Sequence, residues 1–112
     1  MEKKNHLFIS IIVAVRNEAQ VIGRCLDSLV SQDFPIDSYE ILIGDDGSSD
    51  NTEAILNPYV RGYKNIKYFF VKESIAGLRG KSNVLAQLSR KAKGDYLLFT
   101  DADMQLPSNW IT

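Results

Sequence analysis

The sequence predicts an α/β fold, a Rossmann-like parallel sheet of four strands flanked by helices. Apolar β-branched runs alternate with stripes of helical period, and turn formers punctuate each change of period. The first run, Leu7 to Val15 (LFISIIVAV), is apolar on both faces, as a central parallel strand is. Strands alternating with helices imply right-handed crossovers, and the favoured strand order is 3-2-1-4. At 112 residues, with 45% hydrophobic and 24% charged side chains, one core and a single domain over residues 1–112 are expected.

After the first strand, Asn17 is a plausible N-cap for a helix striped by Val21, Ile22, Cys25, Leu26, Leu29 and Val30, with Pro35 beyond its end. Tyr39 to Asp45 (YEILIGD) reads as the second strand. The turn cluster GSSDNT follows, and Asp50 and Glu53 have capping-box spacing for a second helix that Pro58 should bend or stop early. Ile66 to Val71 is the third strand. A loop holding Gly77 and Gly80 leads into a helix striped by Val84, Leu85 and Leu88, with Gly94 as its expected C-terminal stop. Tyr96 to Thr100 (YLLFT) is the fourth strand.

Thirteen Lys and Arg against fourteen Asp and Glu leave a formal net charge of −1, so no nucleic-acid partner is expected from the overall field. One cysteine, Cys25, and one histidine, His6, exclude an intrachain disulfide and a His/Cys zinc or iron–sulfur cluster. Any metal would have oxygen ligands and be a hard ion such as Mg2+ or Mn2+. The longest apolar run falls short of the ~20 residues of a membrane span, so no transmembrane segment is expected in this chain. The start MEKKNH predicts no secretory signal. The cytoplasm is the expected location, the inner face of a membrane included for a longer protein.

In the order 3-2-1-4 ligands collect outside the carboxyl ends of the strands, where the strand order reverses. Asn17 and Glu18 follow the first strand there, Asp45 and Asp46 finish the second, and Asp101 and Asp103 follow the fourth. Two carboxylates about 4 Å apart repel by roughly 4 kcal/mol at an effective dielectric near 20, so a cation is the natural counterweight. In an extended segment Asp101 and Asp103 project to one side and can address a single ion. Mg2+ or Mn2+ held by one or two carboxylates completes its shell with water and phosphates, so the ligand is expected to carry phosphate.

Asp45 and Asp46 are adjacent, so only one faces the crevice, and Asp46 is the choice; Asp45 is left to loop amides. Asp50 is read as a cap and nothing more. Glu18, in the expected first helical turn, complements the helix dipole and favours a ribose or base edge over a diphosphate. Residues 61–94 hold nine Lys or Arg and one acid, Glu73. Most of these charges are expected on a solvated face. Lys81, opening a helix after Gly80, is the exception because a helix start favours anions; Arg79 is the second choice. Cys25 is read as helix core.

These residues carry a resemblance. SIIVAVRNE, YEILIGDDGSSDNT, GLRGKSNVLAQ and GDYLLFTDADM resemble, in order and approximate spacing, the successive motifs of family 2 glycosyltransferases with the GT-A fold, over Phe8 to about Trp110. The resemblance implies the N-terminal, nucleotide-sugar-binding half of that fold. It implies a nucleotide-sugar donor, commonly a UDP-sugar, and inverting transfer to a hydroxyl on a glycan, lipid-linked or other acceptor, as in polysaccharide biosynthesis. By that similarity Ala14, Asn17 and Glu18 line the nucleoside pocket and Asp46 holds the base. Lys81 approaches the base or diphosphate, and Asp101 with Asp103 handles ribose and metal, Asp103 foremost. Alanine at position 14 leaves only backbone for a polar contact there.

The sequence ends where the family's acceptor-binding half and its catalytic base would begin, so the base is unnamed and a truncated donor-binding fragment is expected. Ser108 to Thr112 reads as the start of a further helix, and the exposed sheet edge is expected to favour self-association. A P-loop NTPase is the rival class, since GKS at Gly80 to Ser82 precedes a helix, but its motif needs glycine where Ile75 stands. A dinucleotide dehydrogenase is weaker, because AVRNEA replaces the glycine-rich turn after the first strand. A noncatalytic nucleotide-binding module is the third reading.

Overall fold

Strand β1 (Ile9–Val15) occupies the middle of the sheet because it can be buried on both faces. It pairs in parallel with β2 (Tyr39–Asp45) on one side and β4 (Tyr96–Asp101) on the other, and β2 pairs with β3 (Ile66–Phe70). The order is β3-β2-β1-β4, as the sequence predicts. The computed structural model describes residues 7–75 and 77–112, so His6 lies outside the described residues.

Helices α1 (Ile22–Val30) and α2 (Thr52–Gly62) cover one face, and α3 (Gly80–Lys91) covers the other. Alternation along β1 divides the core accordingly. Ile9, Ile11, Val13 and Val15 meet Ile22, Cys25, Leu26 and Leu29 of α1 and Leu56 of α2, whereas Ile12 joins Leu42, Val84 and Leu88 beneath α3. At the amino ends of the strands, buried Glu40 accepts from the Ser10 hydroxyl (2.7 Å) and the Lys93 amide (2.9 Å). That network pins the α3–β4 connection. The outer strand β4 is left with Tyr96 58% and Phe99 50% exposed.

Five local expectations are corrected. The α1 helix starts at Ile22, not after Asn17, and no side chain caps it. Asn17 instead takes a left-handed φ of 53°, tolerable for asparagine, and its oxygen serves the loop after β2. The Asp50–Glu53 capping box does not close, because Asp50 accepts from the Thr52 amide (3.0 Å) and the Ala19 amide (3.2 Å). Pro58 does not end α2, which runs to Gly62. Beyond the proline, the Tyr59 hydroxyl donates to Asp27 of α1 (2.6 Å), and such a bond offsets the backbone bond that proline cannot make.

Gly94 lies three residues past the end of α3 and is not its cap. It is needed for close approach, since a Cβ there would stand 2.5 Å from the Ser10 nitrogen. Ser108 to Thr112 forms turns rather than a helix. Gln32 holds that segment along the end of α1, donating to the Pro107 carbonyl (2.7 Å) and accepting from the Ile111 amide (3.0 Å).

Gly44 of β2 lies directly under α3: a Cβ there would meet Val84 Cγ1 at 2.4 Å and Leu88 Cδ1 at 2.9 Å. Gly44→Ala should destabilise the fold by about 1–3 kcal/mol through overpacking, read as a lower chemical-denaturation midpoint at unchanged slope. An unchanged midpoint would mean that α3 is not seated on β2 as described.

Candidate functional site

Two loops meet at the carboxyl ends of β1 and β2 and close on each other. The Asn17 side-chain oxygen accepts from the amides of Ser49 (2.7 Å) and Asp50 (3.2 Å), and the Asn17 amide donates to the Ser48 hydroxyl (2.8 Å). Glu18 N–H donates to Thr52 Oγ1 (3.1 Å). With the Ala19–Asp50 bond, the loop after β1 is tied at successive residues to the loop after β2. Asp50 is held below its ordinary carboxyl value, chiefly by the Thr52 hydroxyl.

Beside this tie lies a crevice of about 460 Å3, within the size range of small-molecule sites. It sits where the order reverses about β1, as topology requires. Six of the residues singled out from the sequence line it: Ala14, Glu18, Asp46, Lys81, Asp101 and Asp103. Asn17 and Arg79 do not. Asn17 turns its oxygen to the neighbouring loop, and Arg79 is the extended residue that precedes α3.

The adjacent acids after β2 divide as an extended strand requires. Asp46 lines the crevice, while Asp45 is 1% exposed and accepts from the Ser48 amide (2.7 Å) and the Tyr68 hydroxyl (2.6 Å). Burial, followed by the bond to Asp45, pushes the Tyr68 hydroxyl far above the usual tyrosine range, so it remains a donor.

Asp101 and Asp103 reach the crevice by a route other than the expected extended segment. Asp101 ends β4, and a turn closed by Met104 N–H on the Asp101 carbonyl (3.2 Å) carries Asp103 round. Ala102, between them, is buried in the core below. Cys25 lies under the same turn and donates to the Asp101 carbonyl (3.7 Å). Burial and then the Asp103 charge push its thiol up to about 11, which leaves it neutral and in keeping with helix core.

Lys81 Nζ is ion-paired with Asp101. The counterweight expected to be a metal is therefore, in part, a lysine. Both side chains are more than half exposed, a setting in which such pairs contribute about 0–1 kcal/mol and exchange readily. Among the described residues no group of three His, Cys, Asp or Glu could hold a metal by itself. Two carboxylates flanking a turn do fit Mg2+ or Mn2+, which take the rest of their shell from water and phosphate.

Sequence reasoning missed Arg16, which lines the crevice beside Val15. Its signal was the one that drew attention to Asn17, a polar residue just past the end of a central strand. Four acids and two bases thus face the hollow. Glu18 belongs to the turn before α1, where its carbonyl accepts from the amides of Val21 and Ile22, and not to the first helical turn. The basic stretch is dispersed, with Lys72 over the Phe70 ring and Lys91 over Phe69.

The family model described as "Glycosyl transferase family 2" matches residues 10–112. A poly(ribitol-phosphate) beta-glucosyltransferase of Bacillus spizizenii is 40% identical over 85% of this chain and 14% of its own length. A beta-monoglucosyldiacylglycerol synthase of Synechocystis is 35% identical over 90% of this chain and 21% of its own. Among solved structures, a mannosyltransferase from Pyrobaculum calidifontis in complex with GDP-Man and Mn2+ superposes with a TM-score of 0.78 at 30% identity, over 92% of this chain and 29% of that one. TarS 1–349 of Staphylococcus aureus in complex with UDP gives 0.77 at 32%, over 94% and 30%. The chain thus spans less than a third of each of these four proteins.

Gly80 opens α3 at a φ of 58°, and a Cβ there would meet only Asp46 Oδ2, at 3.9 Å. Gly80→Ala should therefore cost about 1 kcal/mol of conformational strain and no overpacking, measured as a lower thermal midpoint.

Because Asp50 has a lowered carboxyl value when folded, its contribution is complete above the ordinary value of 3.8 and is lost as pH falls through the lower folded one. Acidification should lower the protection factor of the Ala19 amide, its exchange rate compared with an unstructured amide at the same pH, more in the wild type than in Asp50→Asn. An identical acid response in both would remove Asp50 from the tie.

Proposed function

This chain belongs to glycosyl transferase family 2, and from that premise we propose that its crevice binds a nucleoside diphosphate sugar, a UDP-sugar by preference, for inverting transfer to a hydroxyl acceptor. The observation that carries the reading is that Glu18, Asp46, Lys81, Asp101 and Asp103, brought from three strand ends and one helix start, share a single hollow. The nucleotide complexes of the two structural relatives support it. Nothing in the fold or among the relatives favours the P-loop or dehydrogenase alternatives.

In this reading each side chain has a distinct task. Asp46 accepts a hydrogen bond from a base N–H, a bond that a carboxylate can only accept. Glu18 and Asp101 accept from ribose hydroxyls, and the backbone at Ala14 borders the nucleoside. Lys81 moves from Asp101 to the diphosphate, an exchange made cheap by the exposure of their ion pair. Arg79, near the same helix start, is left as an outer contact.

The hollow is lined by more acids than bases, so a diphosphate entering alone meets net repulsion. We assign Asp103, with Asp101, as the residues that would hold Mg2+ or Mn2+, whose chemistry there is to neutralise the charge that develops on the departing diphosphate. The residue that takes the proton of the acceptor hydroxyl is not assigned. Asp95, at the amino end of β4, accepts from the Phe8 amide and faces away from the site.

The relatives' names refer to a poly(ribitol phosphate) and to a diacylglycerol product, so the acceptor class proposed is a hydroxyl-bearing glycan or lipid. In this reading the protein works in the cytoplasm or at the inner face of a membrane. None of the helices among the described residues is long and apolar enough to cross one. Self-association, if it accompanies this function, would run along the open edge of β4.

Titration calorimetry tests the reading with UDP, GDP and ATP, with Mn2+ or with a chelator. Binding of UDP should need Mn2+, and Asp103→Ala should weaken it by about tenfold or more, the scale of a lost charge-assisted contact. Asp46→Ala should weaken UDP while leaving Mn2+ dependence intact. Metal-independent binding, or a preference for ATP abolished chiefly by Lys81→Ala, would overturn it.

A further inference from the structure

We propose that Tyr68 is a positioning residue for the crevice: through Asp45 its hydroxyl sets the loop that carries Asp46 and, beyond it, the loop that carries Glu18. The inference rests on the nucleotide-binding reading for its consequence in affinity, but not for its structural content.

The chain of contacts is short and each link has one direction. Tyr68, on β3, donates to Asp45 Oδ2 (2.6 Å), and Asp45 Oδ1 accepts from the Ser48 amide (2.7 Å). Asp45 is 1% exposed, so water cannot replace either partner without opening the core. The Ser48 hydroxyl in turn accepts from the Asn17 amide, which stands next to Glu18. One buried carboxylate therefore bridges a strand two places from the crevice to both loops that border it.

The backbone flanking this carboxylate is held at the same point. The Asp46 amide donates to the Val15 carbonyl (2.9 Å), and the Asp45 carbonyl accepts from the Val71 amide (2.8 Å). With the main chain pinned on both sides, what remains to be set is the path of the turn from Asp46 to Ser49. The Asp45 side chain sets the near part of that path by holding the Ser48 amide, while Asn17 holds its far end at Ser49. A buried carboxylate keeps its orientation only while both oxygens are engaged, and Tyr68 engages the second. Tyr68 itself does not line the crevice, so it acts on the ligand only through Asp45.

Removing the hydroxyl alone isolates the effect. In Tyr68→Phe, amide exchange at Ser48 and Asn17 should speed up by about tenfold, the scale of one lost charge-assisted hydrogen bond. UDP measured with Mn2+ should bind about tenfold more weakly, and most of that loss should vanish in an Asp46→Ala background, because the two changes then act on one contact. Tyr59→Phe is the control. Tyr59 also donates to an aspartate, Asp27, but on the helical face away from the crevice, so it should lower the thermal midpoint and leave both readouts unmoved. Asp45→Asn tests the same link from its other end and should also speed exchange at Ser48.

Unchanged exchange at Ser48 in Tyr68→Phe overturns the inference whatever the nucleotide does, as does an equal loss of affinity with and without Asp46. Should the wild type bind no nucleotide, it is the functional reading that fails, and exchange at Ser48 still decides whether Tyr68 positions the loop.

Discussion

The hydrogen-bonded tie between the loops after β1 and β2 is the constraint on which the candidate site depends. The sheet brings the carboxyl ends of the strands side by side, but a parallel sheet leaves its connecting loops free to take many paths. Asn17, in a left-handed conformation, removes that freedom by receiving the amides of Ser49 and Asp50 while its own amide is received by Ser48. The cost of the unusual backbone is met by these bonds. With the two loops joined, Glu18 and Asp46 become parts of one wall rather than ends of two mobile segments.

The same logic explains the distribution of acids. A carboxylate buried in the interior has to be fully hydrogen-bonded, whereas one facing a crevice can keep free lone pairs for a ligand. Glu40 and Asp45 are of the first kind and organise opposite ends of the sheet, Glu40 through Ser10 and the Lys93 amide, Asp45 through Tyr68 and Ser48. Asp46 and Asp103 are of the second. Asp101 lies between them, free at the crevice yet paired with Lys81. A site built this way is rigid in its frame and exchangeable in its charges, which suits a charged ligand that has to arrive and depart.

Much of this was legible in the chain. The four strands, their order and the placement of acids at their carboxyl ends follow from period and topology, because burial on both faces of LFISIIVAV admits few other arrangements. Several errors share one character. Asn17 as a cap, the Asp50–Glu53 box and Gly94 as a helix end are local rules, and each gave way to a distant partner: Ser49, Ala19 and Ser10 respectively. Arg16 carried the same signal as Asn17, a polar residue just past the central strand, but only the folded crevice shows that the arginine and not the asparagine lines it.

The sequence by itself therefore determined the order of elements, the central strand and which kinds of side chain stand near the crevice, since these follow from hydrophobic period and the geometry of crossovers. Only the tertiary structure decided which polar atoms remain available there. Asn17 and Ser49 lie 32 positions apart and Tyr68 and Asp45 lie 23 apart. A hydrogen bond of that span leaves no trace in local composition, yet it settles whether an oxygen faces a ligand or a neighbouring amide.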